Sequence, residues 1–319
     1  MFKQTLGALA LSSLLAFAPA ALAKDKKLSP NKPPSKNFDL RQWNISIPVD
    51  GDKNGKSDTI KENQLSNGFE LKPFFYTGED GGMVFITPIE GAKTSKNTSF
   101  TRTELREMIR RGNTDIKTKG ENDLPNKNNW VFSSAPEKAQ KLAGGVDGVM
   151  EATLAVNRVT VSGKDSEIGR VIIGQIHAKD DEPIRLYYRK LPGNEKGSIY
   201  AAHESLNAPN DIYYEIIGTR SKSAPNPENG IALNEKFSYK IDAKGYFIDV
   251  TIYNASGDVI GETRIDMTNS GYDQLNDYMY FKAGVYNQNK TGRPRDYVQA
   301  TFYKLDVSHD KYKKKKKKS

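Results

Sequence analysis

A chain of 319 residues with no cysteine, 15 prolines, 26 glycines and 10% aromatics fits one large all-β domain. The missing cysteines exclude disulfides, a thiolate nucleophile and cysteine-ligated metal. His177, His203 and His309 are too scattered for an HxH or HExxH pair, so no histidine-built metal site is expected. The formal charge of +9 belongs to the ends: the lysines of 311–318 and Lys3 carry all but about one unit of it. The body is near neutral, which argues against a nucleic-acid-binding domain.

Residues 1–23 read as a secretory signal, with Lys3 at the positive start, an apolar core at 9–17 and Ala21-Leu22-Ala23 as the cleavage site. Nothing later approaches the ~20 apolar residues of a spanning helix, so a secreted or periplasmic protein without a membrane anchor is expected. Residues 24–36 read as a disordered Lys/Pro/Ser linker, 37–309 as the folded domain and 310–319 as a solvated Lys-rich tail.

Short strand-like runs broken by Gly, Asn, Asp and Pro follow at 43–48, 69–75, 83–87, 99–110, 148–161, 170–177 and 183–191. Others follow at 212–217, 236–241, 246–253, 259–266, 278–286 and 297–307. Such a series predicts a two-sheet antiparallel sandwich or jelly roll, with short helices near 60–65 and Gln274. Two connections are long and polar, 112–129 and 220–230, and the first is a candidate lid. The spacing of Asp50, Asp52, Asn54 and Gly55 resembles the start of a calcium loop, but Lys61 stands where the bidentate acid belongs. A plain Asp/Asn/Gly turn is the preferred reading, with no metal assigned.

Three of these strands belong together. Side chains alternate between faces with period two, so Arg102, Glu104 and Arg106 share one face. Gln175 and His177 share another, opposite Ile176, and Lys282, Gly284, Tyr286 and Gln288 a third, with Asn287 turned away. Side by side, the three strands make a basic groove holding one histidine and one tyrosine. Arg102 serves either as a substrate contact or as the ion-pair partner of Glu104. Of the other histidines, His203 is placed on a cleft-side loop, and His309, just before the tail, is structural or exposed.

The segments R-T-E-L-R-E-M at 102–108, Q-I-H at 175–177 and Y-F-K-A-G-V-Y-N-Q at 280–288, in this order, resemble the three motifs of alginate lyases of polysaccharide lyase family seven. The flanking F-D-L at 38–40 and T-F-Y-K-L-D-V-S-H at 301–309 extend the resemblance over the whole domain. It implies a β-jelly roll with a concave groove. It also implies β-elimination of alginate, with His177 as base and Tyr286 as acid, or Tyr286 in both roles for the opposite C5 epimer. Arg106 and Gln175 would neutralise the uronate carboxylate, while Arg102, Glu104, Lys282 and Gln288 would line the substrate. No cofactor or metal is implied. The expected partner is an anionic polysaccharide, and the expected state a monomer.

With histidine near pKa ~6.5 and tyrosine near ~10, the pair has usable protonation states at neutral to mildly alkaline pH. Ile176 in place of Val accompanies, in that family, acceptance of guluronate-containing blocks, and an open groove suits internal cutting. Two rivals are weighed. A glycoside hydrolase needs facing carboxylates, and Glu104 and Glu107, three apart on a strand, point oppositely. A noncatalytic sugar-binding sandwich has no need of His177 and Tyr286.

Overall fold

A computed structural model describes residues 27–314. The proposed signal segment and the last five residues lie outside the described residues. The short helices are α1 Pro34–Asn37, α2 Glu62–Ser66 and α3 Glu137–Leu142. The first strands are β1 Trp43–Ser46, β2 Thr59–Ile60, β3 Phe75–Thr77, β4 Met83–Pro88, β5 Arg102–Glu107 and β6 Trp130–Val131. Next come β7 Gly145–Arg158, β8 Arg170–His177, β9 Ile184–Arg189, β10 Lys196–His203, β11 Ile212–Ile217 and β12 Ile231–Ala232. The last are β13 Lys236–Lys244, β14 Phe247–Tyr253, β15 Val259–Asp266, β16 Tyr280–Asn287 and β17 Tyr297–Asp310.

The strands form two sheets packed as a jelly roll. One runs β11-β10-β9-β8-β16-β5-β1-β2 and the other β15-β14-β13-β7-β17-β4-β3. All the pairings along these two paths are antiparallel. Alternation explains the core. Ile45, Leu105, Ile176, Leu186, Phe281, Ala283 and Val285 of the first sheet meet Phe85, Met150, Leu154, Phe237, Ile241 and Phe302 of the second, all essentially fully buried. Their burial removes apolar surface from water, the main favourable term in folding. Tyr239 tethers the layers, its hydroxyl donating to the Ile173 carbonyl at 3.0 Å. Gly174 makes room for that ring, since a Cβ there would lie 2.7 Å from the tyrosine oxygen.

Among the three motif strands, regular pairing is broken at one place. Between Ile172 and Gly174, β8 carries a bulge against β9, and β16 carries an extra residue between Ala283 and Tyr286 against β8. Val171 and Ile173 therefore join the core, while Ile172 turns outward with Gln175 and His177. On β16 the irregularity falls at Gly284, whose φ of 137° no other residue adopts readily and whose Cβ would meet the Thr103 carbonyl at 2.6 Å.

Several sequence expectations need correction. Residues 69–74 make only an isolated bridge, Leu71 to Phe75, so the strand there begins at Phe75. A central strand, β10, was missed: Gly197, Ser198, Ala201 and Ala202 give it little β-branched character. No helix forms at Gln274, whereas α3 and α1 were not foreseen. The linker expected to be disordered is docked from Leu28 onward. Asn37 donates to the Ser29 and Gly81 carbonyls, α1 follows, and Leu28 packs on the core. At the other end β17 continues through Asp310, and Tyr312 donates its hydroxyl to Glu137 of α3, so the tail begins later than expected.

The long 112–129 connection is pinned rather than loose. Arg110 donates to the Ile116 carbonyl and Asn128 to that of Thr118. Lys119 pairs with Asp123, itself 4.0 Å from Lys179 beyond β8. The Asp50 loop folds as an Asx-type turn, with Asp50 accepting from the Asn54 and Gly55 amides. The carboxylates of Asp50, Asp52 and Asp58 lie within 4.8 Å of one another.

Candidate active site

The register of β5, β16 and β8 carries the predicted side chains into one patch. Lys282 lies opposite both Arg106 and Gln175, Gly284 opposite Glu104, Tyr286 opposite Arg102, and Tyr280 opposite His177. Because all alternate outward, they meet on the face turned away from the core.

Glu104 is the hub. Its carboxylate receives Lys282 Nζ at 2.5 Å, Arg102 Nη1 at 3.0 Å and the Gln175 side-chain amide. Burial alone would raise its pKa, but Lys282 and Arg102 outweigh it and the carboxyl is held below the usual range. The alternative left open for Arg102 is thus resolved as an ion pair. Lys282, expected to face substrate, is also bound to Glu104, and burial and Arg102 push it down to about 8. Gln175 spends one amide hydrogen on Glu104, and its Oε1 is buried without a partner.

Arg106 differs from these cations. It makes no ion pair among the described residues, and its guanidinium lies 3.9 Å from the Tyr280 ring centroid. Stacking of this kind holds a guanidinium flat while leaving its edge for a carboxylate fork.

His177 also stacks on Tyr280, its ring centroid 4.9 Å from that of the tyrosine and nearly parallel. Its Nδ1 lies 2.6 Å from the Ala178 carbonyl, which can only accept, so Nδ1 carries the hydrogen and Nε2 of the neutral ring a lone pair. Burial, then Lys282, Arg102 and Arg106, hold its pKa well below the ordinary histidine value. Glu182, in the turn after β8, places Oε1 3.3 Å from Nε2.

Tyr286 sits under Arg102, whose guanidinium is 3.6 Å from the ring centroid. Burial raises its pKa and Arg102 opposes the rise, so the phenol keeps its proton beyond the usual range. An aromatic shelf continues from it through Ile172, Tyr187 and Tyr200, the last two stacked at 4.7 Å.

The structure thus joins Arg102, Glu104, Gln175, Lys282 and Tyr286 directly, with Arg106 and His177 linked through Tyr280. Gln288 does not join them: its side chain donates to the Asn287 carbonyl. His203 does not line the cleft. It ends β10 fully buried, bonded to the Pro183 carbonyl and the Ser270 hydroxyl. Glu107 points to the opposite face from Glu104, where it pairs with His309 Nε2 at 2.7 Å between the sheets. Sequence reading missed Tyr280, Glu182 and Arg185. Tyr280 and Arg185 share the outward parity of Lys282 and of Gln175 and could have been found that way, whereas Glu182 lies in a turn without periodicity.

The family model described as "Alginate lyase" matches residues 38–309. An alginate lyase of Klebsiella pneumoniae is 55% identical over 284 residues, covering 86% of this chain and 91% of that protein. The chain belongs to the alginate lyase family. The crystal structure of a Klebsiella pneumoniae alginate lyase superposes with a TM-score of 0.83 at 53% identity, covering 87% of this chain and 98% of the other. Alginate lyase A1-II′, a member of polysaccharide lyase family seven, shares the fold at a TM-score of 0.61 and 23% identity, covering 88% and 100%. The lyase is therefore a family-seven polysaccharide lyase on a jelly-roll scaffold.

Proposed function

We propose that the lyase cuts alginate internally, with preference for guluronate or mixed blocks, using His177 as general base and Tyr286 as general acid. The observation that carries this reading is the tautomer of His177: the Ala178 carbonyl takes the Nδ1 hydrogen, leaving the lone pair on Nε2. A C5 proton next to an ionised carboxylate is only weakly acidic. Arg106, the cation of the patch without a carboxylate partner, is placed to receive that uronate carboxylate in a bidentate fork. The Gln175 amide adds hydrogen bonding. Charge that builds on the carboxylate as C5–H breaks is then met by preorganised donors.

In the elimination, the C5 proton passes to Nε2 of His177 and its electron pair becomes the C4=C5 bond. The C4–O4 bond breaks, and O4 takes the phenolic proton of Tyr286. The depressed histidine and raised tyrosine pKa values both favour these starting states: a neutral base and a protonated acid across neutral pH. The product is a 4,5-unsaturated uronate at the new non-reducing end. Beyond the buried pair Tyr187 and Tyr200, the exposed Tyr213 ring, 6.3 Å from that of Tyr200, continues the face along the sheet, which supports an occupant longer than one sugar. Export to the periplasm or medium, read from residues 1–23, suits a polymer substrate.

Block-resolved digestion tests the reading. Polyguluronate and mixed blocks should yield unsaturated oligomers of several sizes early in the reaction. Polymannuronate degraded many times faster would overturn the preference, and disaccharide release alone from the start would overturn internal cutting.

A further inference from the structure

Two carboxyls in this region, Glu182 and Glu204, have no part in the chemistry above, and one of them touches the base. Glu182 Oε1 is 3.3 Å from His177 Nε2, with both side chains more than four-fifths buried. Because Nδ1 is tied to the Ala178 carbonyl, Nε2 is the nitrogen that receives the C5 proton. The imidazolium formed there faces Lys282, Arg102 and Arg106, three cations that oppose it. Glu104, the other carboxylate of the patch, is already shared among Lys282, Arg102 and Gln175.

We propose that Glu182 is a positioning residue of the lyase, the counter-charge that strengthens His177 as a base by balancing the proton that Nε2 takes up. The proposal rests on the assignment of His177 as base. After elimination, the Nε2–H hydrogen is donated toward Glu182, and the proton leaves to solvent when Nε2–H breaks. The Tyr286 phenolate recovers its own proton from solvent, so no other reactant is needed.

The surroundings of Glu182 make its charge depend on pH. Glu204, the residue after β10, donates its backbone amide to the Glu182 carbonyl at 3.2 Å, and its side chain beside Glu182 raises the Glu182 pKa. Arg185 of β9 favours ionisation but is itself drawn to Asp211 at 2.6 Å and Glu204 at 3.6 Å. Lys282 of β16 and Arg102 of β5 act on it from across the patch, as do the phenols Tyr280, Tyr286 and, from the loop after β15, Tyr272. Burial and then Glu204 prevail, and the group is pushed up to about 7. Below that pH Glu182 is neutral and lends His177 nothing. Above it a negative charge stands beside Nε2.

The test compares wild type with Glu182→Gln and Glu182→Asp, following kcat and KM on alginate from pH 5.5 to 9 and the His177 imidazole by NMR titration. Glu182→Gln should match wild-type kcat within twofold near pH 6 and fall ~10-fold behind above pH 8, at unchanged KM. Its His177, which titrates where Glu182 is already neutral, should titrate as in wild type, and Glu182→Asp should recover part of the alkaline loss. A wild-type to variant ratio that is constant with pH, a loss carried by KM, or a histidine titration displaced in Glu182→Gln would each overturn the proposal. Should His177→Ala retain turnover, the base assignment itself fails, a result separable from any behaviour of Glu182→Gln.

Discussion

The guanidinium of Arg106 lies over the Tyr280 ring, 3.9 Å from its centroid, while Arg102 and Lys282 on the same face are bound to Glu104. One cation is thus kept available and two are committed to the scaffold. Arg106→Ala should lower kcat/KM by roughly two orders of magnitude, the scale of losing one preorganised charge-stabilising donor. Arg106→Lys should recover only part, because an ammonium lacks the planar fork. The rate of appearance of the conjugated-uronate absorbance, at matched protein concentration and melting temperature, checks both.

Glu104 organises the patch without facing the reaction as a base. Glu104→Gln leaves Lys282 and Arg102 buried beside a neutral amide, and removing one partner of a buried pair costs on the order of 3 kcal/mol. The variant should unfold at clearly lower denaturant concentration and lose activity together with stability. Unchanged stability would show that the hub is not structural.

The limb of the rate profile set by His177 should lie below pH 6.5, separate from the rise near 7 expected of Glu182, because burial and the neighbouring cations keep His177 neutral to lower pH than an ordinary histidine. The corresponding tyrosine limb should lie above 10, since Tyr286 is raised. kcat measured from pH 4 upward, on substrate at saturating concentration, reads the first of these directly.

His309 supplies a separate test of the fold. Burial would depress it, but Glu107 and the Asp147 carbonyl outweigh burial and its pKa is raised. A group with a raised folded pKa contributes stability that is full below its unfolded value near ~6.5 and fades as pH rises through the folded value. The melting temperature should therefore lose this contribution on the alkaline side in wild type, and His309→Gln should be less stable with a flatter dependence there. Thermal unfolding between pH 5 and 9 distinguishes the two curves.

Much of the patch was legible in advance because strand parity is local. Arg102, Glu104 and Arg106 project together, as do Gln175 and His177, with Ile176 in the core. Pairing partners were not legible. Whether Lys282 would face substrate or Glu104 depends on the register of β16 against β5, which alternation along one strand leaves open. The bulge at Ile172–Gly174 escaped for a similar reason: Gly174 there packs against the Tyr239 ring of the opposite sheet, far away in sequence. β10 escaped because its small residues are dictated by what packs on them. A Cβ at Gly197 would lie 2.3 Å from the Tyr188 ring. The docking of Leu28 and Tyr312, likewise, is set by tertiary contacts on segments whose composition reads as linker and tail.

The central claim is that Nε2 of His177 removes the C5 proton while Tyr286 protonates the departing oxygen. The most direct measurement is turnover of a guluronate-rich oligomer by His177→Ala and Tyr286→Phe, followed as unsaturated-uronate absorbance with oligomer affinity measured in parallel. Each variant should bind the oligomer within a fewfold of wild type and turn over at least ~100-fold more slowly. Near-normal turnover by either folded variant would contradict the account and remove that residue from the mechanism.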